Sequence, residues 1–422
     1  MALPPLLQYD APCALYGIAF SHSARHPHRT VLSSAITGPS NRLLVVDLAS
    51  NLPSTQGAYT PQSDFQQLAQ APLAFPATKV GWEPRASVVN AGHEDEGGRG
   101  ELLASSGDVL RLWEMSKDWG DGRGRGYVGD RNGWTNSEVA GGYSLKTRSV
   151  LTNSKSPATS LPPITSFSWN ATSPNSIVTC SIDTTATLWD INTSQALTQL
   201  IAHDRAVYDL SWLPDSSDIF VSVGADGSLR AFDLRTLEHS TILYESSGET
   251  PLARIAFSNR EQHMLACFGM DESKALILDM RSPGHPVAEL LGHQAPLGAI
   301  SWGSGGDVPG TSGGGWIATC GDDSQLLLYD LTSPLPEARP SSTRPSTRPS
   351  TTSRSGISPN SYALSPPSTP SQARSSPSPA HAAEIMPVKG WTADAEINNL
   401  AFTDSGEWVG CVSGQRMSVL KV

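Results

Sequence analysis

Two short segments of the sequence contain an acidic residue followed two positions later by an arginine. They are Asp233-Leu234-Arg235 in "SVGADGSLRAFDLR" and Asp279-Met280-Arg281 in "LILDMRSP". A guanidinium group binds carboxylates or carbonyl oxygens in a bidentate manner through its planar set of N–H donors. Two exposed arginines of this kind would suit a protein-docking site. The alternative is that each arginine pairs within its own segment or covers the end of a strand.

Other residue sets that could do chemistry are less specific. His22, His26 and His28 have no Cys or carboxylate neighbours in sequence, which favours a solvated loop over a metal site. "GTSGG" at 310–314 matches a nucleophile elbow but lies in a Gly-rich loop, and "DGRGRG" at 121–126 lacks the ending of a phosphate loop. No nucleophile, base and oxyanion donor come together, so we expect no enzyme activity, no metal and no cofactor.

The acidic residues close a longer unit that recurs along the chain. Asp190, Asp233, Asp279 and Asp330 each follow an aromatic or apolar residue, at successive spacings of 43, 46 and 51 residues. Similar endings occur upstream and at the end of the chain, which makes seven in total: Asp47, Glu114 and Val422. A period of about 40 to 45 residues with small insertions indicates a repeat protein.

Each repeat reads as four short antiparallel strands. In one repeat they are "VYDLSWL", "DIFVSVGAD", "SLRAFDL" and "HSTILYES", with alternating apolar residues separated by polar turns. A four-stranded unit that is apolar on both faces must be covered by its neighbours, which a ring of units achieves. The sequence therefore predicts an all-β, seven-bladed β-propeller that occupies residues 1–422 as a single domain.

The last repeat has three strands before Val422. We expect residues 6–10, "LLQYD", to supply its fourth strand, so that both ends of the chain meet in one blade. Such closure removes the exposed sheet edges that favour aggregation.

Charge and composition restrict the class of function. The formal net charge is −11, although the segment 333–384 contains five Arg and only two Glu. An acidic body argues against direct nucleic-acid binding, which requires clustered Lys and Arg. The sequence contains no apolar run of about 18 residues and no signal-peptide pattern near its start, so we expect no membrane association.

Four of the five cysteines occupy matching places in the predicted second strands of different blades. The architecture would hold them apart, and no Cys-x-x-Cys pair occurs. We therefore expect buried structural thiols and a reducing compartment. The four are Cys180, Cys267, Cys320 and Cys411.

The longer insertions are predicted to share one face of the ring. They fall at 21–30, 49–62, 89–100, 115–142, 303–314 and 333–384, each between a first and second or a third and fourth strand. Insertions on one face often mark a binding side, although tolerated sequence drift is the alternative.

The composition of two of these insertions predicts loops, because they contain too few apolar residues to form a hydrophobic core. Residues 115–142 are Gly-rich, and we expect them to form a flexible loop in blade 2. Residues 333–384 are rich in Ser, Pro and Arg, and we expect them to form a disordered loop in blade 6. The latter carries Ser-Pro and Thr-Pro pairs suited to proline-directed kinases, although an inert spacer is the alternative. The candidate phosphorylation sites are Ser358, Ser365, Thr369, Ser376 and Ser378.

The repeat endings and turns resemble those of WD-repeat propellers. The resemblance is carried by "TLWD", by "IAHD" and "LGHQ", and by the Asp of turns such as "GADG" and "GDDS" before the third strand. It implies that a group of residues stabilises turns within the blades and performs no acid–base chemistry. These residues are His203, His293, Asp183, Asp226, Asp323, Trp189 and Asp190.

A narrower resemblance is to the anthocyanin-regulator family, which includes Transparent Testa Glabra in plants and a cullin 4-associated factor in animals. The segments that resemble it include "SIDTTATLWD", "LIAHDRAVYDLSW", "ILDMRSPGHPVAEL" and "AEINNLAF". The resemblance implies a scaffold in nucleus and cytoplasm that gathers Myb and basic helix-loop-helix transcription factors or dual-specificity tyrosine-regulated kinases. The paired Asp-x-Arg endings, with Asp233, Arg235, Asp279 and Arg281, resemble the motif that docks on the cullin 4 adaptor, the damage-specific DNA-binding protein.

The function predicted from these features is a non-catalytic protein-binding scaffold. It would bring kinases and transcription regulators together, or act as a substrate receptor of a cullin 4 ubiquitin ligase, and the two roles are compatible. The alternative is a propeller hydrolase with a site in the central channel, which would need acidic or His residues converging from several blades.

Overall fold

The computed structural model describes most of the chain and places it in seven β-sheets. The described residues are 6–51, 64–91, 99–117, 142–152, 161–237, 239–303, 315–332 and 382–422. Within these ranges six sheets have four strands and one has five. The single α-helix of the described residues, α1 (Arg85–Ala91), lies between two strands of blade 2.

The sheets follow the chain in order as blades 1 to 7. Blades 1 to 3 are formed by β2 (Leu15–Phe20), β3 (Thr30–Ser34), β4 (Asn41–Leu48) and β5 (Phe65–Leu73); by β6 (Lys79–Trp82), β7 (Glu101–Ser106), β8 (Leu110–Lys117) and β9 (Tyr143–Leu151); and by β10 (Ile164–Trp169), β11 (Ser176–Ser181), β12 (Thr185–Asp190) and β13 (Gln195–Ile201).

Blades 4 to 6 continue the pattern. They are formed by β14 (Val207–Trp212), β15 (Ile219–Gly224), β16 (Ser228–Asp233) and β17 (Thr241–Glu245); by β18 (Leu252–Phe257), β19 (Met264–Gly269), β20 (Ala275–Asp279) and β21 (Ala288–Leu290), with β25 (Ala383–Ile385) as a fifth strand; and by β22 (Leu297–Gly303), β23 (Gly315–Gly321), β24 (Gln325–Leu331) and β26 (Lys389–Thr392).

Blade 7 joins the two ends of the described chain. Its strands are β27 (Ile397–Phe402), β28 (Trp408–Ser413), β29 (Arg416–Lys421) and β1 (Leu6–Asp10). Strand β1 pairs antiparallel with β29 over five residue pairs, from Leu6 opposite Leu420 to Asp10 opposite Arg416. The predicted seven-bladed propeller and its closure by an N-terminal strand are confirmed.

The first strand of every blade faces the middle of the ring. These innermost strands contact one another in the order β2, β6, β10, β14, β18, β22, β27 and back to β2. They therefore surround a central channel. The hydrophobic core lies between the blades: Val221, Val223 and Leu229 of blade 4, for example, pack in one cluster with Leu252 and Leu265 of blade 5.

The two faces of the ring differ in their connections. In an antiparallel meander the first-to-second and third-to-fourth connections share one face, here called the loop face. The second-to-third and blade-to-blade connections share the other, here called the turn face. All six insertions noted in the sequence join strands at the loop face, as predicted, whereas Ala225–Gly227 and the other second-to-third connections are short.

The structure moves the bounds of two predicted loops. Strand β8 continues to Lys117, so three residues of the predicted loop 115–142 belong to a strand. Residues 382–384 of the predicted loop 333–384 are described, and Ala383 and Glu384 lie in β25, parallel to β21. The composition of the segment concealed this strand because only three residues form it. The remaining parts, 118–141 and 333–381, lie outside the described residues.

All five cysteines are buried and unpaired. Cys180, Cys267, Cys320 and Cys411 lie in β11, β19, β23 and β28, the second strands of four blades. Burial raises the pKa of Cys180, Cys267 and Cys411 to about 12. Among the described residues, no helix is both long enough and apolar enough to span a membrane.

Candidate functional site

Arg235 lies just beyond β16 on the loop face of blade 4. Its Nε donates to Oδ1 of Asp233 at 2.9 Å and its Nη2 to Oδ2 at 2.6 Å. The backbone N–H of Arg235 also donates to Oδ1 of Asp233, at 2.9 Å, so the turn holds the pair together. The hydrogen bonds from Arg235 lower the pKa of Asp233 to about 2. The Arg235 side chain nevertheless remains 65% exposed.

Arg281 repeats this arrangement beyond β20 in blade 5. Its Nε and Nη2 donate to the Asp279 carboxylate at 3.0 and 2.8 Å, and its backbone N–H donates to Oδ1 at 2.9 Å. Burial opposes ionisation of Asp279, but the hydrogen bonds from Arg281 outweigh it and the pKa is lowered. The Arg281 side chain is 63% exposed.

The structure therefore shows the local pairing that the sequence offered as one alternative, and it leaves both arginines exposed. Each arginine pairs with the aspartate of its own segment, and each still presents its guanidinium to solvent on the loop face of adjacent blades. The same set of hydrogen bonds holds the two cations just beyond the third strands of their blades. We call Asp233, Arg235, Asp279 and Arg281 the Asp-x-Arg pair.

His203 lies inside blade 4, away from solvent. Its Nδ1 is 2.9 Å from Oδ1 of Asp226, and its Nε2 is 2.7 Å from the hydroxyl of Ser222. An ionised carboxylate can only accept, so Nδ1 carries the hydrogen and Nε2 of the neutral ring accepts from Ser222. Burial lowers the pKa of His203, although Asp226 opposes the shift. This network fixes the turn before β16 and leaves His203 no access to a substrate.

His293 makes the same network in blade 6. Its Nδ1 is 2.9 Å from Asp323 and its Nε2 is 2.7 Å from the Thr319 hydroxyl. Asp323 also accepts from the backbone N–H groups of Gln294 and Gln325, at 2.9 and 3.1 Å, so it joins the connection before β22 to the turn before β24.

Asp183, Trp189 and Asp190 are the predicted structural residues of blade 3. They make separate contacts and do not form a network of histidine, aspartate and hydroxyl like those of blades 4 and 6. Asp183 accepts from the backbone N–H and hydroxyl of Thr185, at 3.1 and 2.7 Å. Trp189 is 3% exposed and donates from Nε1 to the Thr179 hydroxyl at 2.9 Å. Asp190 accepts from the backbone N–H of Asn192 at 2.9 Å and so stabilises the turn after β12.

The three histidines near the start of the chain make separate contacts. Nδ1 of His22 is 3.0 Å from Asp404 in blade 7, and Nδ1 of His26 is 2.9 Å from Asp47. The His28 ring lies edge-on to Trp408 with centroids 5.3 Å apart. No group of three or more potential ligands that could hold a metal occurs among the described residues.

The central channel contains charged side chains that meet across the ring. Lys79 of blade 2 donates from Nζ to Oδ1 of Asp209 in blade 4 at 3.2 Å. Arg254 of blade 5 donates from Nη2 to the hydroxyl of Tyr16 in blade 1 at 2.9 Å. Neither pair comes from neighbouring blades, so these contacts are possible only through the channel.

Asp209 is the centre of this cluster. It is 3% exposed and accepts from the Ser166 hydroxyl at 2.5 Å and from the backbone N–H groups of Leu210 and Ile255, both at 3.0 Å. Burial opposes ionisation of its carboxyl group, but Lys79 and Arg254 outweigh it and the pKa is lowered. The carboxylate is therefore ionised at neutral pH and its oxygens are engaged by the protein.

Sequence reasoning missed this channel cluster, although a signal was present. Lys79 opens "KVGW", Asp209 interrupts "VYDLSW" and Arg254 interrupts "LARIAF", each an apolar first strand. A single charge within an inner strand indicates a paired or functional group, because unpaired buried charges are costly.

Several other predicted features lie outside the described residues. They are the segments 121–126 and 310–314 and the candidate phosphorylation sites.

Comparisons with known proteins agree with this architecture. The model of the WD domain, G-beta repeat, matches residues 194–233. The chain is 36% identical over 325 residues to a DDB1- and CUL4-associated factor 7 homolog of Dictyostelium discoideum, covering 77% of this chain and 84% of that protein. It is 34% identical over 376 residues to an uncharacterized WD repeat-containing protein of Schizosaccharomyces pombe, covering 84% and 76%. A WD repeat-containing protein of Saccharomyces cerevisiae is 29% identical over 395 residues, covering 85% and 68%.

Proposed function

Because the chain belongs to the WD-repeat family that includes the DDB1- and CUL4-associated factor 7 homolog, we propose that it is a non-catalytic adaptor of a cullin 4 ubiquitin ligase. In this proposal the Asp-x-Arg pair docks on the ligase adaptor, the damage-specific DNA-binding protein. The name of the Dictyostelium relative associates that protein with the same adaptor and ligase. A second, unrelated surface of the propeller would then hold the protein delivered to the ligase.

The observation that carries the proposal is the repetition of one exposed geometry in adjacent blades. Arg235 and Arg281 are held by bidentate contacts to Asp233 and Asp279 and remain 65% and 63% exposed. A side chain already fixed in the free protein loses less conformational freedom when it binds. Arginine presented in this way suits carboxylate and carbonyl acceptors on a partner.

Binding to the purified adaptor tests the proposal. The Arg235→Ala, Arg281→Ala double variant should bind at least about tenfold more weakly, which corresponds to about 1.4 kcal/mol. Arg205→Ala is a matched control, because Arg205 is 60% exposed and paired with Glu249 but lies on the turn face of blade 4. The wild type, the double variant and the Arg205→Ala control should first be shown to have matching melting temperatures.

Two outcomes would refute the docking role. One is equal binding of the double variant and the wild type. The other is no binding of any of the proteins at micromolar concentrations, in which case the Asp-x-Arg pair only stabilises the ends of its strands.

The proposal extends to the partners and location that the family resemblance implies. Dual-specificity tyrosine-regulated kinases and Myb or basic helix-loop-helix transcription factors are the partners we propose, in nucleus and cytoplasm. Affinity purification from cells, with the Asp-x-Arg double variant as a second bait, would separate ligase subunits from such partners. Partners retained by the variant bind elsewhere on the propeller.

The hydrolase alternative finds little support in the channel. Its described lining contains a single carboxylate, Asp209, which four donors engage, and contains no histidine. Rapid labelling of the protein by a serine-reactive probe would favour the hydrolase over the adaptor.

A further inference from the structure

The channel cavity has a net positive charge in a protein that is otherwise acidic. The cavity has a volume of about 260 Å³. Its charged lining residues are Lys79, Arg254 and Asp209, which leave one positive charge in excess. The chain as a whole carries a formal net charge of −11. This excess positive charge makes an anionic group the expected ligand of the cavity.

The charged groups lie toward one end of the channel. All innermost strands run from the turn face to the loop face, since each follows a blade-to-blade connection. Lys79 is the first residue of β6, and Asp209 and Arg254 are the third residues of β14 and β18. The described lining residues nearest the loop face carry no charge: Phe257 and Trp302 are the sixth residues of their strands, and Ser301 is the fifth of its strand. The end of the cavity that carries the charged residues therefore opens on the turn face.

The carboxylate already present does not neutralise both cations. Asp209 accepts from Ser166, Leu210 and Ile255 as well as from Lys79. Arg254 instead donates to the neutral hydroxyl of Tyr16. The Arg254 guanidinium, which hydrogen-bonds to a neutral phenol, can also donate to a carboxylate in a charge-assisted hydrogen bond, which is about twice as strong as a neutral one.

We propose that the turn-face mouth of the channel binds the carboxylate of an Asp or Glu side chain on a partner protein, through Arg254 and Lys79. This inference deepens the adaptor role and rests on it, because it assigns the captured protein to the face opposite the Asp-x-Arg pair. The cavity is smaller than the roughly 300 to 1,000 Å³ of pockets for whole small ligands, which favours a single inserted side chain. One excess positive charge matches one carboxylate.

Selection of peptides from a random library on the purified full-length protein tests the inference. Peptides that bind should share an Asp or Glu. Its change to Asn or Gln should weaken binding about tenfold or more, as loss of a charge-assisted hydrogen bond implies. Arg254→Gln should cause a similar loss with the acidic peptide and little further loss with its neutral version. Binding should also weaken as salt increases.

The controls separate the channel from the rest of the molecule. Arg205→Ala removes an exposed arginine from the same face without touching the channel and should leave peptide affinity unchanged. If Arg254→Gln does not fold, Lys79→Gln carries the test, because the Lys79 side chain is 38% exposed and tolerates change more readily. A correctly folded variant should keep the wild-type affinity for the cullin 4 adaptor.

Several results would overturn the inference. These are selected peptides without a shared acidic residue, a library that yields no Arg254-dependent peptide, and tighter binding of a phosphoserine peptide than of its Glu counterpart. The last result would assign the site to phosphate. Failure of adaptor binding with retained peptide binding would refute the docking role and leave the channel site standing.

Discussion

Tyr16 and Arg254 meet across the central channel, with the Arg254 Nη2 2.9 Å from the Tyr16 hydroxyl oxygen, although their blades are not neighbours. Together with the contact between Lys79 and Asp209, this joins four blades through their innermost strands. A propeller is otherwise held by contacts between adjacent blades. The channel contacts therefore couple distant parts of the ring, and their loss should affect stability as well as binding.

Asp209→Asn should destabilise the protein by about 3 kcal/mol. The substitution removes a buried charge that pairs with Lys79 and turns one acceptor into a donor that faces buried N–H groups. Unfolding in denaturant at pH 7 would measure the loss. Asp190→Asn is the matched control, because Asp190 accepts from Asn192 at an exposed turn, and it should cost under about 1 kcal/mol. Equal losses at the two sites would contradict a stabilising role for the channel cluster.

Closure by β1 should make a measurable contribution to thermal stability. Tyr9 is 7% exposed in a core cluster of blades 1 and 7, whereas Leu6 in the same strand is 39% exposed. Tyr9→Ala should cost about 3 to 5 kcal/mol and Leu6→Ala much less. Deletion of residues 1–12 should lower the melting temperature further, because it also removes five residue pairs with β29. An unchanged melting curve after the deletion would show that blade 7 closes without this strand.

The architecture could be predicted from the sequence because the same pattern of strands and turns occurs in every repeat. Few folds are compatible with seven similar endings at similar spacing and with strands of alternating apolar residues. An uncertain strand assignment in one blade can be corrected from the other blades. The position of β25 could not be predicted in this way. Its three residues have no repeat counterpart, and their pairing with β21 brings together segments almost 100 residues apart.

The candidate site was only partly predictable. Asp233 and Arg235 are two residues apart, so their pairing follows from local geometry, and the repeat places the same pair in blade 5. The channel pairs depend on which innermost positions point inward. Six of the seven first strands, all but β6, have a register irregularity, as between Val207 and Asp209, that hides the inward positions from simple alternation.

Gly227 and Gly414 offer a direct test of the turns before the third strands. Both have positive φ angles, +73° and +57°. A Cβ on Gly227 would overlap with the Ser246 hydroxyl and lie 2.9 Å from the Thr250 carbonyl oxygen, whereas nothing lies within 4 Å of a Cβ on Gly414. Gly414→Ala should therefore cost about 1 to 2 kcal/mol from backbone strain alone. Gly227→Ala should cost clearly more in chemical denaturation, and a smaller loss would mean that the turn relaxes around the new methyl group.

The buried His203 should make stability depend on pH in the mildly acidic range. Burial lowers its pKa in the folded protein below the value of about 6.5 expected when unfolded. The unfolded state therefore binds more protons as the pH falls, so the stability that His203 contributes is complete above pH 6.5 and is lost toward lower pH. His28, whose pKa burial also lowers, acts in the same direction, and Asp226 adds a further loss only below about pH 4.

His203→Gln should separate these contributions. At pH 7.5 the variant should be less stable by about 1 to 3 kcal/mol, because Asp226 and Ser222 lose their buried hydrogen-bond partner. Between pH 7 and pH 5 its free energy of unfolding should fall less steeply than that of the wild type, although His28 keeps part of the dependence. Denaturant unfolding at half-unit pH intervals would compare the slopes. Identical slopes would mean that His203 takes up a proton in the folded blade at no cost, contrary to the network that the structure shows.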